Sequence, residues 1–259
     1  MIFVGIILIA IGVGVFFYRK KIEDKLLDVK YYDLVDIKSA VDILQSVAKE
    51  VGAGHYAQMI KVNGKAFMEE PLQGEFTNDD CVYYEVSATH RFKRMVENKD
   101  QNGRVKKSWV PSSESIGSAE VGGEFQIIDN SGAVAIDIQG ADLTIEQAFK
   151  EFKSGRRSRD FSFGSYLPEN NYRIKSDGYE MVERHIKQND DLFVIGELTD
   201  RNGFPQLTLS TEKDNPFIVS IHSEEQVIKA LEGKIKLMNF ISYACWIGGV
   251  VMAVLHFVA

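Results

Sequence analysis

Residues 125–138 read FQIIDNSGAVAIDI. Two short apolar runs, at 125–128 and 133–138, flank the tetrapeptide DNSG at 129–132. Asp, Asn, Ser and Gly favour tight turns, because they tolerate unusual backbone angles or hydrogen-bond to their own backbone. The segment therefore predicts a β-hairpin and places the middle of the chain in the β class.

Strand patterns continue on both sides of this hairpin. The longest covers residues 81–96, where apolar and polar side chains alternate from Val82 to Ala88. A second turn signal, DRNG at 200–203, predicts another hairpin. The remaining predicted strands cover residues 61–68, 179–186, 192–198, 206–210 and 217–221.

Three further segments show helical periodicity. Apolar side chains at helical spacing predict a helix over residues 39–51 and a short one over residues 144–152. Ser223 and Gln226 have the spacing of a capping box, which predicts the start of a third helix with an apolar stripe extending to Ile235. No proline separates this helix from the apolar segment that follows, so we expect one continuous helix.

Both ends of the chain are apolar. Residues 1–18 and 237–259 contain no Asp, Glu, Lys or Arg. At about 1.5 Å rise per residue, a helix of either length crosses, or nearly crosses, a hydrocarbon core of about 30 Å. Arg19, Lys20 and Lys21 follow the first segment. A cleaved signal peptide has its positive charge before the apolar run, so this order favours an uncleaved anchor.

The sequence therefore predicts an α+β protein in which a β-rich globular domain lies between an N-terminal and a C-terminal transmembrane helix. The predicted segments are a transmembrane helix at 1–18, a helical connector at 19–60, the β-rich domain at 61–222, an amphipathic helix at 223–236 and a transmembrane helix at 237–259. Lys and Arg near the membrane ends lie on the side of the middle domain, which predicts that this domain faces the cytoplasm.

The composition excludes several classes of protein. Charged residues make up 26% and hydrophobic residues 45% of the 259, which argues against a disordered, collagen-like or multi-pass membrane protein. A net charge of −7 gives no electrostatic reason to expect nucleic-acid binding. The two cysteines are too few for a disulfide scaffold. Cys81 lies in a predicted strand, where we expect a buried, unreactive side chain.

The common catalytic and cofactor motifs are missing from the sequence. It has no Gly-x-Ser-x-Gly elbow, no phosphate-binding P-loop, no dinucleotide fingerprint and no His-Glu-x-x-His zinc motif. The five histidines have no spacing typical of metal ligands. We therefore expect no catalytic residue, no cofactor and no bound metal.

Small residues recur in the C-terminal apolar segment, four positions apart: Ala244, Gly248, Gly249 and Ala253. Such spacing lets two helix backbones approach closely. It is explained either by packing of the two apolar segments of one chain or by self-association, and the second alternative predicts a homo-oligomer.

Two basic clusters lie in predicted loops of the middle domain. One includes Lys106 and Lys107, and the other includes Arg156, Arg157 and Arg159. A cytoplasmic domain held close to anionic lipid gains attraction from such residues. Contact with membrane lipids, contact with an acidic partner, and plain solvated loops all remain open.

The order of these features resembles the GIDE family, also called the beside-a-membrane domain. The matching stretches are VNGKA at 62–66, EPL at 70–72, CVYYE at 81–85, GEL at 196–198 and the segment 217–233 before the last apolar run. The family's mitochondrial ubiquitin ligase has two membrane spans and a terminal RING finger that holds two zinc ions. This sequence ends at Ala259 with two cysteines, so the resemblance does not extend to ligase activity.

The resemblance implies an integral membrane protein similar to shorter prokaryotic members, and hence a bacterial inner membrane. In the mitochondrial member the domain faces the intermembrane space, which differs from the cytoplasmic side predicted from charge. The sequence favours a membrane-tethered binding or scaffold protein that acts through protein contacts, in a membrane complex or a stress response. The alternative is a membrane-associated, hydrolase-like enzyme with an unrecognised site.

Overall fold

The computed structural model describes residues 2–99, 104–155, 159–161, 163–166 and 173–258. Within them the chain folds as a mixed α+β protein rich in strands, as the sequence predicts. The helices are α1 (Ile2–Tyr31), α2 (Ile37–Val51) and α3 (Glu224–Val258). The strands are β1 (Ala57–Phe67), β2 (Leu72–Gln73), β3 (Asp80–Lys99), β4 (Val105–Gly122), β5 (Glu124–Ile128), β6 (Ala133–Asp137), β7 (Asp142–Thr144), β8 (Glu146–Ser154), β9 (Arg159–Phe161), β10 (Gly164–Tyr166), β11 (Ile174–Lys187), β12 (Asp191–Thr199), β13 (Gln206–Thr208) and β14 (Ile218–Ser220).

Five strands form a closed barrel in the order β1-β5-β6-β13-β12. The ring closes because β1 also pairs with β12, from Ala57↔Thr199 to Lys65↔Asp191. β14 and β7 continue the sheet from β12. The predicted hairpins at 129–132 and 200–203 connect β5 to β6 and β12 to β13, so both predictions are confirmed. Apolar side chains fill the barrel, among them Val62, Ile127, Ile136, Leu198 and Leu207.

Helix α2 packs against the barrel. It begins after Asp36, whose side chain accepts a hydrogen bond from the Ser39 backbone N–H at 2.8 Å. The Asp129 side chain, in the predicted hairpin turn, accepts another from the Ile37 N–H at 2.9 Å. Ile37 and Leu44 are buried in the barrel core. The turn thus joins the helix start to the sheet.

A second sheet is built on β3, which pairs with β11 on one side and with β2 and β4 on the other. β8 pairs with β11 and forms an outer edge. With 20 and 18 residues, β3 and β4 are much longer than an ordinary strand of about 5–6 residues. β11 follows β3 only to the pair Ile174↔Arg94, so the ends of β3 and β4 beyond this point pair with each other.

The helix predicted over residues 144–152 is wrong. The segment forms the end of β7 and most of β8, and β8 pairs along β11 from His185↔Glu146 to Gly178↔Ser154. Phe149 and Phe152 follow a helical spacing, but Phe152 stays 48% exposed. Pairing with a long neighbouring strand outweighs a weak local preference for helix.

Helices α1 and α3 pack against each other in an antiparallel pair. Glycines accept large side chains of the opposite helix at two positions. A Cβ atom at Gly12 would lie 2.5 Å from the Trp246 ring, and one at Gly249 would lie 2.6 Å from Ile9 Cγ1. The pair is therefore held by close backbone approach.

Lys61 connects the barrel to this helix pair. Its side chain is 6% exposed, and Nζ donates to Glu224 Oε1 at 2.9 Å and to the Val29 carbonyl at 3.3 Å. Glu224 begins α3 and Val29 lies near the end of α1. A buried charge needs such partners, so this lysine fixes β1 against both helices.

Among the described residues one helix is long and apolar enough to cross a membrane, and it covers Glu224–Met252. The predicted amphipathic helix and the apolar segment after it form one element, α3, as we expected from the absence of proline. The capping box is formed: Ser223 N–H donates to Gln226 Oε1 at 3.1 Å, and Gln226 N–H donates to Ser223 Oγ at 3.4 Å. α1 likewise continues past residue 18 to Tyr31.

Candidate functional site

A cleft of about 510 Å³ opens beside the end of β11, and we call it the His185 cleft. The His185 side chain is 3% exposed and forms part of the wall. The Asp79 side chain faces its Nε2, with Oδ2 3.9 Å away, beyond hydrogen-bonding distance. Carboxylates dominate the rest of the lining, in which the charged residues are Asp79, Glu146, Lys187, Asp190 and Asp191.

Glu183 orients the histidine. The two residues are separated by one position on β11, so both side chains lie on the same face of the sheet. Glu183 is fully buried, and its Oε1 lies 3.2 Å from His185 Nδ1. Since a carboxylate accepts hydrogen bonds, Nδ1 carries the proton in this contact. The neutral ring then has its lone pair on Nε2, on the side of Asp79.

Backbone and side-chain donors from the loop between β2 and β3 hold Glu183 in place. Its Oε2 accepts from the Phe76 N–H at 2.5 Å and the Thr77 N–H at 3.3 Å, and its Oε1 accepts from Thr77 Oγ1 at 2.6 Å. Gly74 leaves room for the carboxylate, because a Cβ atom there would collide with Oε1. This ordered buried acid therefore fixes both the loop and the ring.

Asp79 and Lys187 form an ion pair at the mouth of the cleft, 2.7 Å between Nζ and Oδ2. The Lys187 hydrogen bond and charge, together with His185, lower the pKa of Asp79 despite some desolvation. The same hydrogen bond raises the pKa of Lys187. Asp79 is therefore an anion at neutral pH.

Cys81 lies next to this network but does not take part in its chemistry. It is fully buried, as the sequence predicts, and its thiol contacts the Leu72 carbonyl at 3.6 Å. Burial, Glu183 and Asp79 raise the pKa of Cys81 to about 11. At neutral pH the side chain is a thiol, and a thiol is a poor nucleophile.

The sequence reasoning missed this site. The prediction rests on the spacing of the histidines from one another, whereas His185 is oriented by Glu183, which Thr77 holds in place. The signal available in the sequence was the Glu-x-His pattern within a predicted strand, which places both side chains on one face. Within the described residues, no three His, Cys, Asp or Glu side chains are grouped to hold a metal ion.

His90 is also buried, and its contacts indicate a structural role. Its ring stacks between Phe92 and Tyr179, and its Nε2 lies 2.8 Å from Ser176 Oγ. Burial lowers the pKa of His90, although Glu114 and Asp177 act in the opposite direction. The neutral ring fills the sheet face at the base of the long β3–β4 hairpin.

A second cleft, of about 680 Å³, lies between the two sheets. Carboxylates line it, from Glu85, Glu120, Glu124 and Asp137. Burial, followed by Glu120 and Glu85, raises the pKa of Tyr83 to about 12, so its hydroxyl stays protonated. Glu120 and Glu124 are exposed, and Glu120 accepts a hydrogen bond from the buried Tyr83 hydroxyl.

The small residues of α3 occupy different faces of the helix. Gly249 is buried against α1 of the same chain, and Gly248 has Leu8 Cδ1 at 3.7 Å from where its Cβ would lie. Ala244 is exposed. The side chain of Ala253 is outside the described residues. Packing within one chain therefore accounts for the two glycines, while Ala244 faces outward.

The predicted basic residues fall on two separate segments. Arg156 and Arg157 lie outside the described residues, and only the backbone of Arg159 is described, at the start of β9. Lys106 and Lys107 are exposed on β4. The Lys107 ammonium lies 3.5 Å from Glu97 of the paired strand, across the ladder.

Lys106 and Lys107 belong to a segment that we call the arm, residues 91–99 of β3 and 105–118 of β4. No side chain of the arm is buried. Val105 and Val110 are exposed by 52% and 39%, and Trp109 is covered by the Lys175 ammonium, 4.2 Å from the ring centre. The arm thus has exposed apolar side chains, although Lys175 covers Trp109 and Phe163 lies against the strand at Gly117.

The architecture is that of a β-rich domain joined directly to an apolar helix that is long enough to cross a membrane. The profile of the GIDE family, described as E3 ubiquitin ligase, matches residues 94–254, and the chain belongs to this family. The matched region begins in the arm and extends through the barrel strands β5, β6, β12 and β13 into α3. No curated protein and no solved structure matches the chain.

Proposed function

We propose that this protein is a membrane-tethered binding or scaffold protein that acts through protein contacts, and that the arm is its contact surface. The observation that carries the proposal is the packing of the arm. An isolated two-stranded ribbon is at best marginally stable in water, because it buries little apolar surface. The arm extends the β3–β4 ladder past the last pair with β11, Ile174↔Arg94, and none of its side chains is buried. A partner that covers one face would supply the missing burial.

The charge of the arm favours an acidic partner. Residues 91–118 contain seven basic and three acidic residues, although the whole chain has a net charge of −7. Some of the basic residues are paired within the sheet, such as Arg91 with Glu180 at 2.7 Å. Lys106 remains exposed near the tip of the hairpin. A positive surface on an acidic protein steers acidic partners and resists self-contact.

Membrane anchoring is the second part of the proposal. We propose that α1 crosses together with α3, since its apolar residues pack along the apolar part of α3. The excess of Lys and Arg on the domain side supports a cytoplasmic domain in a bacterial inner membrane. We also propose that the chain self-associates through the outward face of α3 at Ala244. Ubiquitin transfer is not part of this proposal.

Photo-crosslinking from the arm tests the proposal. A photoreactive amino acid at Val110 should capture a partner protein in intact cells. Replacing Lys106 and Lys107 by Glu should lower the yield by roughly tenfold, because reversing two contact charges costs about 1–2 kcal/mol. The matched control replaces Lys49 and Lys213 by Glu, which are exposed and lie outside the arm. Equal yields in both variants, or no adduct at all, would contradict the proposal.

The second candidate function is hydrolysis at the His185 cleft. The ordered Glu183–His185 pair favours it, because such an imidazole can accept a proton from an attacking water. A panel of activated ester substrates offered to the full chain in detergent should then show turnover that His185→Gln abolishes. His55→Gln, at an exposed histidine outside the cleft lining, is the control and should keep the rate. A rate unchanged by His185→Gln would exclude this candidate.

A further inference from the structure

We infer that α1 and α3 together form a binding collar for the headgroups of anionic phospholipids, made of Lys20, Lys21, Lys234 and Lys236. This inference rests on the proposed anchoring of both helices in a membrane. It assigns lipid binding to the helix pair, and it leaves the arm free for a protein partner.

The register of the two helices places the four lysines at one level. Arg19 Nη1 donates to Asn239 Oδ1 at 2.7 Å, and Gly12 faces Trp246 two turns away. In this antiparallel register Lys20 and Lys21 lie level with residues 237–238 of α3, and Lys234 and Lys236 lie level with residues 22–24 of α1. At about 1.5 Å per residue, the four Cα atoms fall within about 6 Å along the helix axis.

This level coincides with the start of the apolar segments. The last apolar residue of the first segment is Tyr18, and the second segment begins at Leu237. A side chain anchored here reaches the phosphate region if the apolar segments fill the hydrocarbon core. The collar is therefore placed where headgroup phosphates would lie.

The collar lysines differ from the neighbouring basic residues, which form ion pairs within the protein. Lys25 and Lys30, one to two turns closer to the domain, pair with Asp142 and with Glu232. The four collar lysines are exposed, and none makes an ion pair with any residue that the structure describes. Glu232 already pairs with Lys30, and Lys236 only adds to the lowering of the Glu232 pKa, so the collar keeps most of its charge.

Nearby acidic residues do not cancel this charge. Glu23 is 3.5 Å from Arg19, and these two charges offset each other. Asp24 is exposed at the level of Lys234 and offsets one of the four lysine charges. The collar therefore keeps a net positive charge. Phosphate monoanions of lipids such as phosphatidylglycerol complement this charge, whereas zwitterionic headgroups have no net charge to offer.

Lipid retention by the full chain tests the inference. The protein is reconstituted with equal amounts of phosphatidylglycerol and phosphatidylcholine, released into the gas phase and weighed with its bound lipids. The wild type should retain phosphatidylglycerol preferentially. Replacing all four collar lysines by Gln should lower that preference by roughly tenfold or more. The matched control replaces Lys38, Lys49, Lys65 and Lys213 by Gln, which are exposed and lie outside both the collar and the arm, and it should keep the preference.

Three outcomes would overturn the inference. An unchanged preference in the collar variant would show that the lipid binds elsewhere. An equal loss in the control would show an effect of total charge. Displacement of the lipid by excess inorganic phosphate would show a site for free phosphate. A separate vesicle flotation of the wild type distinguishes failure of the proposed anchoring, because a chain that does not float with the vesicles is not embedded in them.

Discussion

Replacing Glu183 by Leu is expected to destabilise the domain by about 3–5 kcal/mol, because it removes the acceptor of a buried network. The Phe76 N–H, the Thr77 N–H and hydroxyl, and the His185 Nδ1–H would lose the carboxylate that they share. Leucine cannot accept a hydrogen bond, and the site is closed to water. The measurement is the thermal unfolding midpoint of the full chain in detergent, which should fall by roughly 10 °C or more.

Glu180 provides the matched control on the same strand. Its carboxylate is 19% exposed and pairs with Arg91 and Lys150 near the surface. Glu180→Gln should cost less than about 1 kcal/mol, because water can replace those pairs. Glu183→Gln should fall between the two, since its amide oxygen accepts while its NH₂ group faces the remaining donors. A stability loss for Glu180→Gln equal to that for Glu183→Gln would refute the buried network as the cause.

The parts of the fold that local hydrogen bonds determine could be predicted from the sequence. The DNSG turn is an example, because Asp129 accepts hydrogen bonds from the N–H groups of Ser131 and Gly132. The capping box of Ser223 and Gln226 is another. Each depends on residues at most three positions apart, so the pattern alone suffices.

The edge strands of the second sheet could not be predicted in this way. The sequence of β4, VKKSWVPSSESIGSAEVG, has a proline and several serines and glycines and lacks apolar alternation. It is a strand because β3 pairs with nearly all of it. β8 is a strand where the sequence predicts a helix for a similar reason, since β11 determines its conformation. Strand pairing between distant segments is decided by the fold and not by local preference.

The candidate site likewise has one feature that the sequence predicts and others that it does not. The burial of Cys81 follows from its place in an apolar strand, and the sequence predicts it. The contact of Glu183 with Thr77 joins residues 106 positions apart, and no spacing rule covers such a distance. The face of α3 that receives α1 is likewise set by tertiary packing. Small residues lie on more than one face of that helix, so the sequence leaves the choice open.

Replacing Gly249 by Leu is expected to separate α1 from α3. Even a Cβ atom at this position would lie 2.6 Å from Ile9 Cγ1 and 3.0 Å from the Gly5 carbonyl oxygen, and the backbone carbonyl cannot turn aside. Overpacking of this kind costs about 1–3 kcal/mol, and the longer side chain of leucine places the cost at the upper end. A pair of fluorophores on the two helices should report increased separation, together with a lower unfolding midpoint.

Gly248 is the control, and it also addresses self-association. At this position Leu8 Cδ1 is 3.7 Å from the Cβ site, an ordinary contact, so Gly248→Ala should leave the helix pair intact. It should even stabilise α3 by up to about 1 kcal/mol, because alanine favours helix more than glycine does. Ala244→Leu, on the outward face, should lower the mass of any oligomer in detergent without changing the unfolding midpoint of the monomer. If Gly248→Ala separates the helices as much as Gly249→Leu, then the contact of Gly249 with Ile9 does not hold the pair, and the two spans pack through another face.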